Sequence, residues 1–168
     1  RNHVRMTTSS HFDTAADRSW VSNALALLEQ EAARSADTHL LRLDVPGFPD
    51  IAFYFKDESI HPTGSLKHRL ARSLYLYALC NGRLRAGQTV VDASSGSTAI
   101  SEAWFARLLG LQFIAVMPAC TAPQKIQAVQ ALGGTCDLVE DPCQVHARAA
   151  QHAAEGACHL DQFGLAER

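Results

Sequence analysis

The sequence predicts an α/β fold in which a parallel sheet lies between two layers of helices. Short apolar segments around Val90, Phe113 and Cys136 recur every 23 residues (113 − 90 and 136 − 113), and each is followed by a segment with helical spacing of its apolar residues. Uninterrupted apolar strands that alternate with helices are typical of parallel βαβ units. Right-handed crossovers then place helices on both faces of the sheet, which makes three layers.

The elements before this repeat follow from local patterns. Residues 1–19 are polar and without periodicity, so they are predicted to form a flexible tail. Helical spacing over 20–33 predicts a first helix, and the prolines and glycine of 44–50 interrupt regular structure. The aromatic run at 51–56 predicts a short buried strand. Residues 66–80 have one apolar helical face, and the Asn-Gly pair that follows is a usual helix stop.

The repeat itself supplies three strands and three helices, and the first two of these helices end at glycines. The predicted strands are 89–91, 113–117 and 135–139. The predicted helices are 98–109, 123–132 and 144–154.

Composition excludes several classes of protein. The 168 residues are 47% hydrophobic and 19% charged, and the net charge is -2, which argues against a surface for nucleic acid or anionic membrane. No apolar run approaches the roughly 20 residues of a membrane span. The five cysteines are odd in number without a C-x-x-C pair, and no two histidines share i, i+4 spacing. These features predict reduced thiols in the cytoplasm, with neither a disulfide framework nor a metal site.

Two loops contain side chains suited to chemistry. Lys67 opens an apolar helix, where a lysine is commonly exposed or keeps its amine in water with its stem along apolar surface. A partly buried amine there could also form a Schiff base with an aldehyde. The loop 94–98 follows a strand and precedes a helix, and it contains four hydroxyl side chains and one glycine. It is either a simple turn with a hydroxyl helix cap or an anion site at the carboxyl end of the sheet.

These two loops together resemble a known family. Ser-Leu-Lys-His-Arg at 65–69 followed by Ser-Ser-Gly-Ser-Thr at 94–98 is similar to the fold-type II pyridoxal-phosphate family, which includes cysteine synthase and cystathionine β-synthase. The longer stretches 61–74, 77–82 and 160–163 resemble its L-cysteine desulfhydrase branch. The similarity implies the amino-terminal half of a tryptophan synthase β-like fold, because family members continue for roughly as many residues again. Their glycine-rich phosphate loop lies in that second half, and none occurs in residues 1–168.

Carried onto this sequence, the resemblance implies a role for each matching position. Lys67 would hold pyridoxal 5'-phosphate covalently and, once released by substrate, would serve as the base that removes the α-proton. Ser97 would face the cofactor, where cysteine synthases have an asparagine, through a shorter side chain with one hydroxyl. The residues implied to bind the substrate carboxylate are Ser94, Ser95, Gly96, Thr98 and Gln162.

The resemblance implies β-elimination on L-cysteine, which releases hydrogen sulfide, pyruvate and ammonia. Cysteine-forming β-replacement on an activated serine is the nearest alternative, and a non-catalytic half-protein that pairs with a complementary chain is an alternative of another class. The implied division places the first part of a large cofactor domain at 20–80, a small mobile α/β domain at 81–155 and a return segment at 156–168. A homodimer with a small amino-acid substrate is the implied assembly.

Overall fold

A four-stranded parallel sheet forms the centre of the structure, a computed structural model that describes residues 14–35 and 37–165. Its strands lie in the order β5, β4, β3, β6, and a separate antiparallel pair is formed by β1 and β2. The strands are β1 Leu40–Leu43, β2 Phe53–Lys56, β3 Val90–Ala93, β4 Phe113–Pro118, β5 Thr135–Val139 and β6 Cys158–His159. The α-helices are α1 Ala15–Ser35, α2 Lys67–Cys80, α3 Ser97–Leu108, α4 Pro123–Ala131, α5 Val145–Ala154 and α6 Gln162–Leu165.

The 23-residue period of the sequence matches the register of β3 with β4, whereas β5 pairs with β4 at an offset of 21 residues (136 − 115). Val90 of β3 lies opposite Phe113 of β4, and Ala115 of β4 lies opposite Cys136 of β5, all in parallel pairs. The predicted parallel sheet is therefore confirmed. Gly133, with a φ of 86°, ends α4 as the glycine stop predicted, because a residue with a side chain rarely adopts that backbone conformation.

Helices cover both faces of the sheet, as the fold class requires. Alternate strand residues such as Val90 and Ala115 pack with apolar residues of α1, α2, α3 and α4 in one core. Val91, Ala93 and Val116 face the other way and pack against α5 in a second, smaller core. This alternation is the period-2 pattern of strands, and it makes the three layers of the prediction.

The first helix begins at Ala15, so the prediction of a tail through residue 19 is wrong for residues 15–19. The hydroxyl of Thr14 accepts a hydrogen bond from the Asp17 N–H at 3.0 Å and donates to the Asp17 carboxylate at 2.8 Å. This capping stabilises a first turn that has no apolar face to indicate it. The rest of the predicted tail, residues 1–13, lies outside the described residues.

The strand predicted at 51–56 exists from Phe53 to Lys56, but the prediction that it is buried is wrong. It pairs antiparallel with β1, which the sequence did not indicate, and Tyr54 and Phe55 are 57% and 52% exposed. Leu40, Leu41 and Leu43 of β1 are exposed as well. The aromatic run therefore predicted the strand correctly, but it could not predict whether another element would pack over the strand and bury it.

The return segment contains a further strand that the sequence did not predict. The N–H of Cys158 donates to the carbonyl of Thr89 at 2.8 Å, and the N–H of Leu160 donates to that of Val91 at 3.1 Å. These bonds add β6 to β3 in parallel. With two residues in the ladder, β6 is too short for a periodic signal.

Burial separates the five free cysteines by reactivity. The Cys158 thiol is buried, and this burial raises its pKa to about 11, whereas Cys80, Cys120 and Cys143 are exposed. The thiolate is the reactive form, so at pH 8 we expect iodoacetamide to label the three exposed cysteines and to leave Cys158 unmodified in the folded protein. Peptide mass spectrometry over a time course measures this. Labelling of Cys158 as fast as of Cys143 would contradict the buried position of β6.

Within the described ranges, no helix combines the length and apolarity that a membrane crossing requires. In the same part of the chain, no three histidine, cysteine or acidic side chains are grouped as a metal site would need.

Candidate active site

The loop between β3 and α3 begins as a helix cap. The Ser94 N–H donates to the carbonyl of Val116 at 3.0 Å, which continues the sheet, and the Ser94 hydroxyl accepts a hydrogen bond from the Ala99 N–H at 3.1 Å. The simpler of the two interpretations of this loop, a turn with a hydroxyl cap, therefore applies to the Ser94 side chain.

The remainder of the loop has donors without partners. Within residues 14–35 and 37–165, no acceptor is bonded to the backbone N–H groups of Ser95, Gly96, Ser97 and Thr98. A Cβ placed on Gly96 would meet no atom within 4 Å, so space lies directly over the backbone there. Free N–H groups at a helix N-terminus with open space above them fit an anion such as a carboxylate.

That space is part of a cavity of about 340 Å³ at the carboxyl edge of the sheet. The cavity contains three loop residues predicted to bind a carboxylate, and it contains Gln162 as well. Thr98 is buried and Ser97 is exposed, and neither of them lines the cavity; the same is true of Lys67. The lining residues are Ala93, Ser94, Ser95, Gly96, Pro118, Pro142, Val145, His146, Gln162 and Phe163.

Gln162 is brought beside the loop by a turn at Asp161. Asp161 has a φ of 52°, in the left-handed region that asparagine and aspartate tolerate better than most residues. The Gln162 side-chain amide then donates to the carbonyl of Ala93 at 3.1 Å, and its backbone N–H donates to the Asp92 carboxylate at 3.3 Å. Two hydrogen bonds therefore fix a residue 69 positions away in sequence against the end of β3.

The lining of the cavity also includes two aromatic rings to which the sequence analysis assigned no role. His146 of α5 and Phe163 of α6 meet edge to face, with ring centroids 5.4 Å apart. Phe163 belongs to the stretch 160–163 that carries the family resemblance, but no role was assigned to it. For His146 the signal is position, because α5 follows the end of β5 on the carboxyl edge, where parallel sheets bind ligands.

Lys67 is the first residue of α2, and its side chain is half-buried. Its backbone N–H donates to the Ser65 hydroxyl at 3.2 Å, and no side-chain hydrogen bond of Lys67 occurs with any described residue. The neighbouring His68 and Arg69 turn toward other elements, as helical geometry predicts. The lysine amine is thus available to a ligand.

His68 anchors this helix through a buried carboxylate on α1. Glu31 is 1% exposed and accepts hydrogen bonds from Nε2 of His68 at 2.9 Å, from Arg72 at 2.8 Å and from the Ser35 hydroxyl. Burial acts to raise the pKa of Glu31, but the bonds from Ser35, His68 and Arg72 outweigh it and lower that pKa. Burial lowers the pKa of His68, which keeps the imidazole neutral.

Arg69 makes a second anchor with the 3-10 turn before the lysine loop. Its guanidinium donates twice to Glu58, at 2.5 and 3.1 Å, and Glu58 also accepts from Thr38 at 2.6 Å and from His61 at 2.9 Å. The hydrogen bond from Arg69, followed by that from Thr38, lowers the pKa of Glu58 to about 2. Much of the motif around Lys67 therefore serves to hold its loop in place.

Thr63 connects the lysine loop to the helix that follows the hydroxyl loop. Its hydroxyl donates to Nδ1 of the neutral His68 at 3.1 Å and accepts from the hydroxyl of Ser101 on α3 at 2.9 Å. Since α3 begins at Ser97, one chain of hydrogen bonds fixes both candidate loops relative to each other.

Comparison with known proteins identifies similar sequences and a similar fold. The family model described as "Pyridoxal-phosphate dependent enzyme" matches residues 35–167. A relative named L-cysteine desulfhydrase Cds1, from Mycobacterium tuberculosis (strain ATCC 25177 / H37Ra), is 58% identical over 156 residues, which are 90% of this chain and 42% of the relative. A putative cysteine synthase of Sinorhizobium fredii (strain NBRC 101917 / NGR234) is 43% identical over 103 residues, 61% of this chain and 30% of the relative.

A solved structure has the same fold. The crystal structure of O-ureido-L-serine synthase superposes with a TM-score of 0.68 and 31% sequence identity, over 75% of this chain and 41% of that one. The chain thus spans less than half the length of the proteins it matches.

Proposed function

Because the chain belongs to the pyridoxal-phosphate dependent enzyme family, we propose that it supplies the cofactor lysine and the substrate loop of an enzyme that releases hydrogen sulfide from L-cysteine. The observation that carries this proposal is the 58% identity to a protein named L-cysteine desulfhydrase, which extends through both candidate loops. The cavity formed by Ser95, Gly96 and Gln162 is of a size that suits a small amino acid.

The residues present fit the cofactor at two points. The amine of Lys67 has no side-chain hydrogen bond to the described residues, and Gly96 leaves open space where the α3 N-terminus has free N–H groups. We propose that Lys67 holds pyridoxal 5'-phosphate through Nζ and that the Ser97 hydroxyl faces it. When bound, this cofactor withdraws electrons from the α-carbon of an amino acid, which makes the α-proton acidic.

The chain's own groups then bind and orient the substrate and move its α-proton. The N–H groups of the loop, that of Thr98 among them, and the hydroxyl of Ser95 bind the substrate carboxylate, with Ser94, Gly96 and Gln162 completing the site. The Lys67 amine takes the proton from the α-carbon. Loss of the thiol from the β-carbon and addition of water convert L-cysteine and water into hydrogen sulfide, pyruvate and ammonia.

A specific observation favours a second candidate. The 43% identity to a putative cysteine synthase favours β-replacement, in which sulfide displaces the leaving group of an activated serine. Both reactions begin with removal of the α-proton by the same lysine, so the residues of the two loops serve either one.

The proposed assembly follows from the uncovered strands. We propose that residues 20–80 contribute to a large cofactor domain, that 81–155 form a small mobile domain and that 156–168 return to the large one. The exposed leucines and aromatics of β1 and β2 support this division, since an isolated two-stranded pair is marginal in water. A cytoplasmic homodimer is the proposed form, and pairing with a complementary chain without catalysis is the alternative that the same surface allows.

The deciding experiment measures sulfide with each substrate in the purified protein supplied with pyridoxal 5'-phosphate. Release of sulfide and pyruvate from L-cysteine supports elimination. Consumption of sulfide with O-acetylserine, without release from L-cysteine, would favour replacement instead. Failure of both reactions would leave the non-catalytic alternative.

The carboxylate site has its own test. Replacing Ser95 with alanine removes one donor to a charged group, for which about 1.5 kcal/mol or more is typical, so we expect KM for L-cysteine to rise about tenfold with kcat little changed. Ser73→Ala, on the exposed side of α2, is the matched control and should leave KM unaltered. An unchanged KM in Ser95→Ala would place the substrate elsewhere.

A further inference from the structure

A buried acid lies behind the candidate site without a use in the proposed reaction. Glu102, in the second turn of α3, has an exposed fraction of 0%. Neither of its carboxyl oxygens has a hydrogen-bond partner of good geometry among the described residues. A charged carboxylate left like this would cost several kcal/mol, so the state of Glu102 requires an explanation.

The group facing Glu102 from the sheet is another carboxyl. Asp92, near the carboxyl end of β3, is 1% exposed, and burial followed by the charge of Asp92 raises the pKa of Glu102 well above its ordinary value. From α2, Tyr75 donates its hydroxyl to the backbone carbonyl of Glu102 at 3.0 Å. From β6, the Cys158 thiol is buried nearby and the His159 imidazole contacts Asp92.

The surroundings decide which of the two acids keeps the proton. Asp92 accepts the Ala93 N–H at 2.8 Å and the Gln162 N–H at 3.3 Å, and Nε2 of His159 lies 3.2 Å from its Oδ1. Burial acts to raise the pKa of Asp92, but the hydrogen bond from His159, the facing Glu102 carboxyl and the hydrogen bond from the Ala93 N–H outweigh burial and lower it. Glu102 has no such donors, so Asp92 is the charged member of the pair.

We propose that Glu102 is a positioning residue, which stays protonated at neutral pH and donates its carboxyl hydrogen to Asp92, so that the pair holds Gln162 and His159 with a single negative charge. The link to the site is short, because the same Asp92 carboxylate accepts the backbone N–H of Gln162. Gln162 in turn lines the cavity beside Ser94 and Gly96.

The consequence for catalysis rests on the proposed function. If Glu102 stopped donating, Asp92 would lose one of the bonds that hold it in place, and the turn at Asp161 that presents Gln162 would be less well fixed. We therefore expect loss of the Glu102 donor to weaken substrate binding, which is read in KM, more than the chemical step, which is read in kcat.

The first test does not depend on activity. Infrared difference spectra of the purified protein at pH 8 should contain the carbonyl band of a protonated carboxylic acid, and labelling with glutamate enriched in ¹³C at the carboxyl carbon should shift that band. Glu102→Gln should remove it, whereas Glu140→Gln, at an exposed position after β5, should retain it. Absence of the band in the unsubstituted protein, or a band unaffected by labelled glutamate, would overturn the proposal.

The second test separates positioning from packing. Glu102→Gln keeps a donor of similar shape, so KM for L-cysteine should stay within about twofold of the starting value, whereas Glu102→Leu has no donor and should raise KM at least fivefold. Equal KM values in both variants would overturn the positioning role. If the protein shows the infrared band but releases no sulfide, the proposed function fails while the shared proton is established, so the two failures are distinguishable.

Discussion

Replacing Lys67 with alanine is expected to abolish the visible absorption of bound pyridoxal 5'-phosphate and to lower sulfide release from L-cysteine by several orders of magnitude. The physical reason is that one amine performs two tasks in the proposed mechanism. It attaches the cofactor, and it takes the α-proton when the substrate has displaced it. No side-chain hydrogen bond between Lys67 and any described residue would be lost in the folded protein, so the expected effect is on chemistry.

The measurement is an absorption spectrum together with a sulfide assay on the same preparation. Lys125→Ala, in the exposed first turn of α4, is the matched control, because it removes a lysine from another helix start and Lys125 does not line the cavity. It should retain the spectrum and the rate. If Lys67→Ala retained both the visible cofactor absorption and the rate of sulfide release, Lys67 would have no part in the mechanism.

Replacing Glu31 with alanine is expected to lower the free energy of unfolding by about 3–5 kcal/mol, since removal of one partner leaves a buried charge unpaired. Arg72 and His68 would both lose their carboxylate acceptor inside the packed interface of α1 and α2. A domain is commonly stable by about 5–15 kcal/mol, so this loss is a large fraction of the total. Urea unfolding followed by circular dichroism measures it, provided that the m-value is unchanged.

Glu29→Ala, two residues earlier on the exposed side of α1, is the control for this experiment. It should change the free energy of unfolding by no more than about 0.5 kcal/mol. Glu31→Gln should fall between the two, because the amide oxygen can still accept a hydrogen bond but has no charge to pair with Arg72. Similar losses for Glu31→Ala and Glu29→Ala would show that the buried pair contributes little to stability.

The parallel sheet was predictable because its signal is local and repeated. Strands such as Phe113–Pro118 are covered on both faces, so nearly every residue in them is apolar and the run is easily recognised. The strand Phe53–Lys56 has the same apolar character, and the prediction of burial failed there, because composition cannot report whether a covering element exists. The capped start of α1 at Thr14 depends on a single hydroxyl, which periodicity does not detect.

The residues of the candidate site likewise fall into those that the sequence selected and those that only the folded structure brings together. Local pattern made Lys67 and the loop 94–98 candidates, since each has reactive groups at the start of a helix, and the family resemblance then selected them over the simpler interpretations. His146 and Phe163 were not selected, because they come from two distant elements and meet only where the sheet edge brings them together. The same holds for Asp92 and Glu102, whose shared environment is formed by β3, α3 and β6.

The sequence by itself determined the alternation of strands and helices from β3 to α5, their parallel arrangement and the two loops with chemically useful groups. All of these are encoded in runs of adjacent residues, where apolar period and helix caps act over a few positions. Only the tertiary structure decided which acids are buried together, which hydroxyl is used as a cap and which residues surround the cavity. Those properties depend on burial and on hydrogen bonds between residues as far apart as Asp92 and Gln162, and they come into being only when the chain has folded.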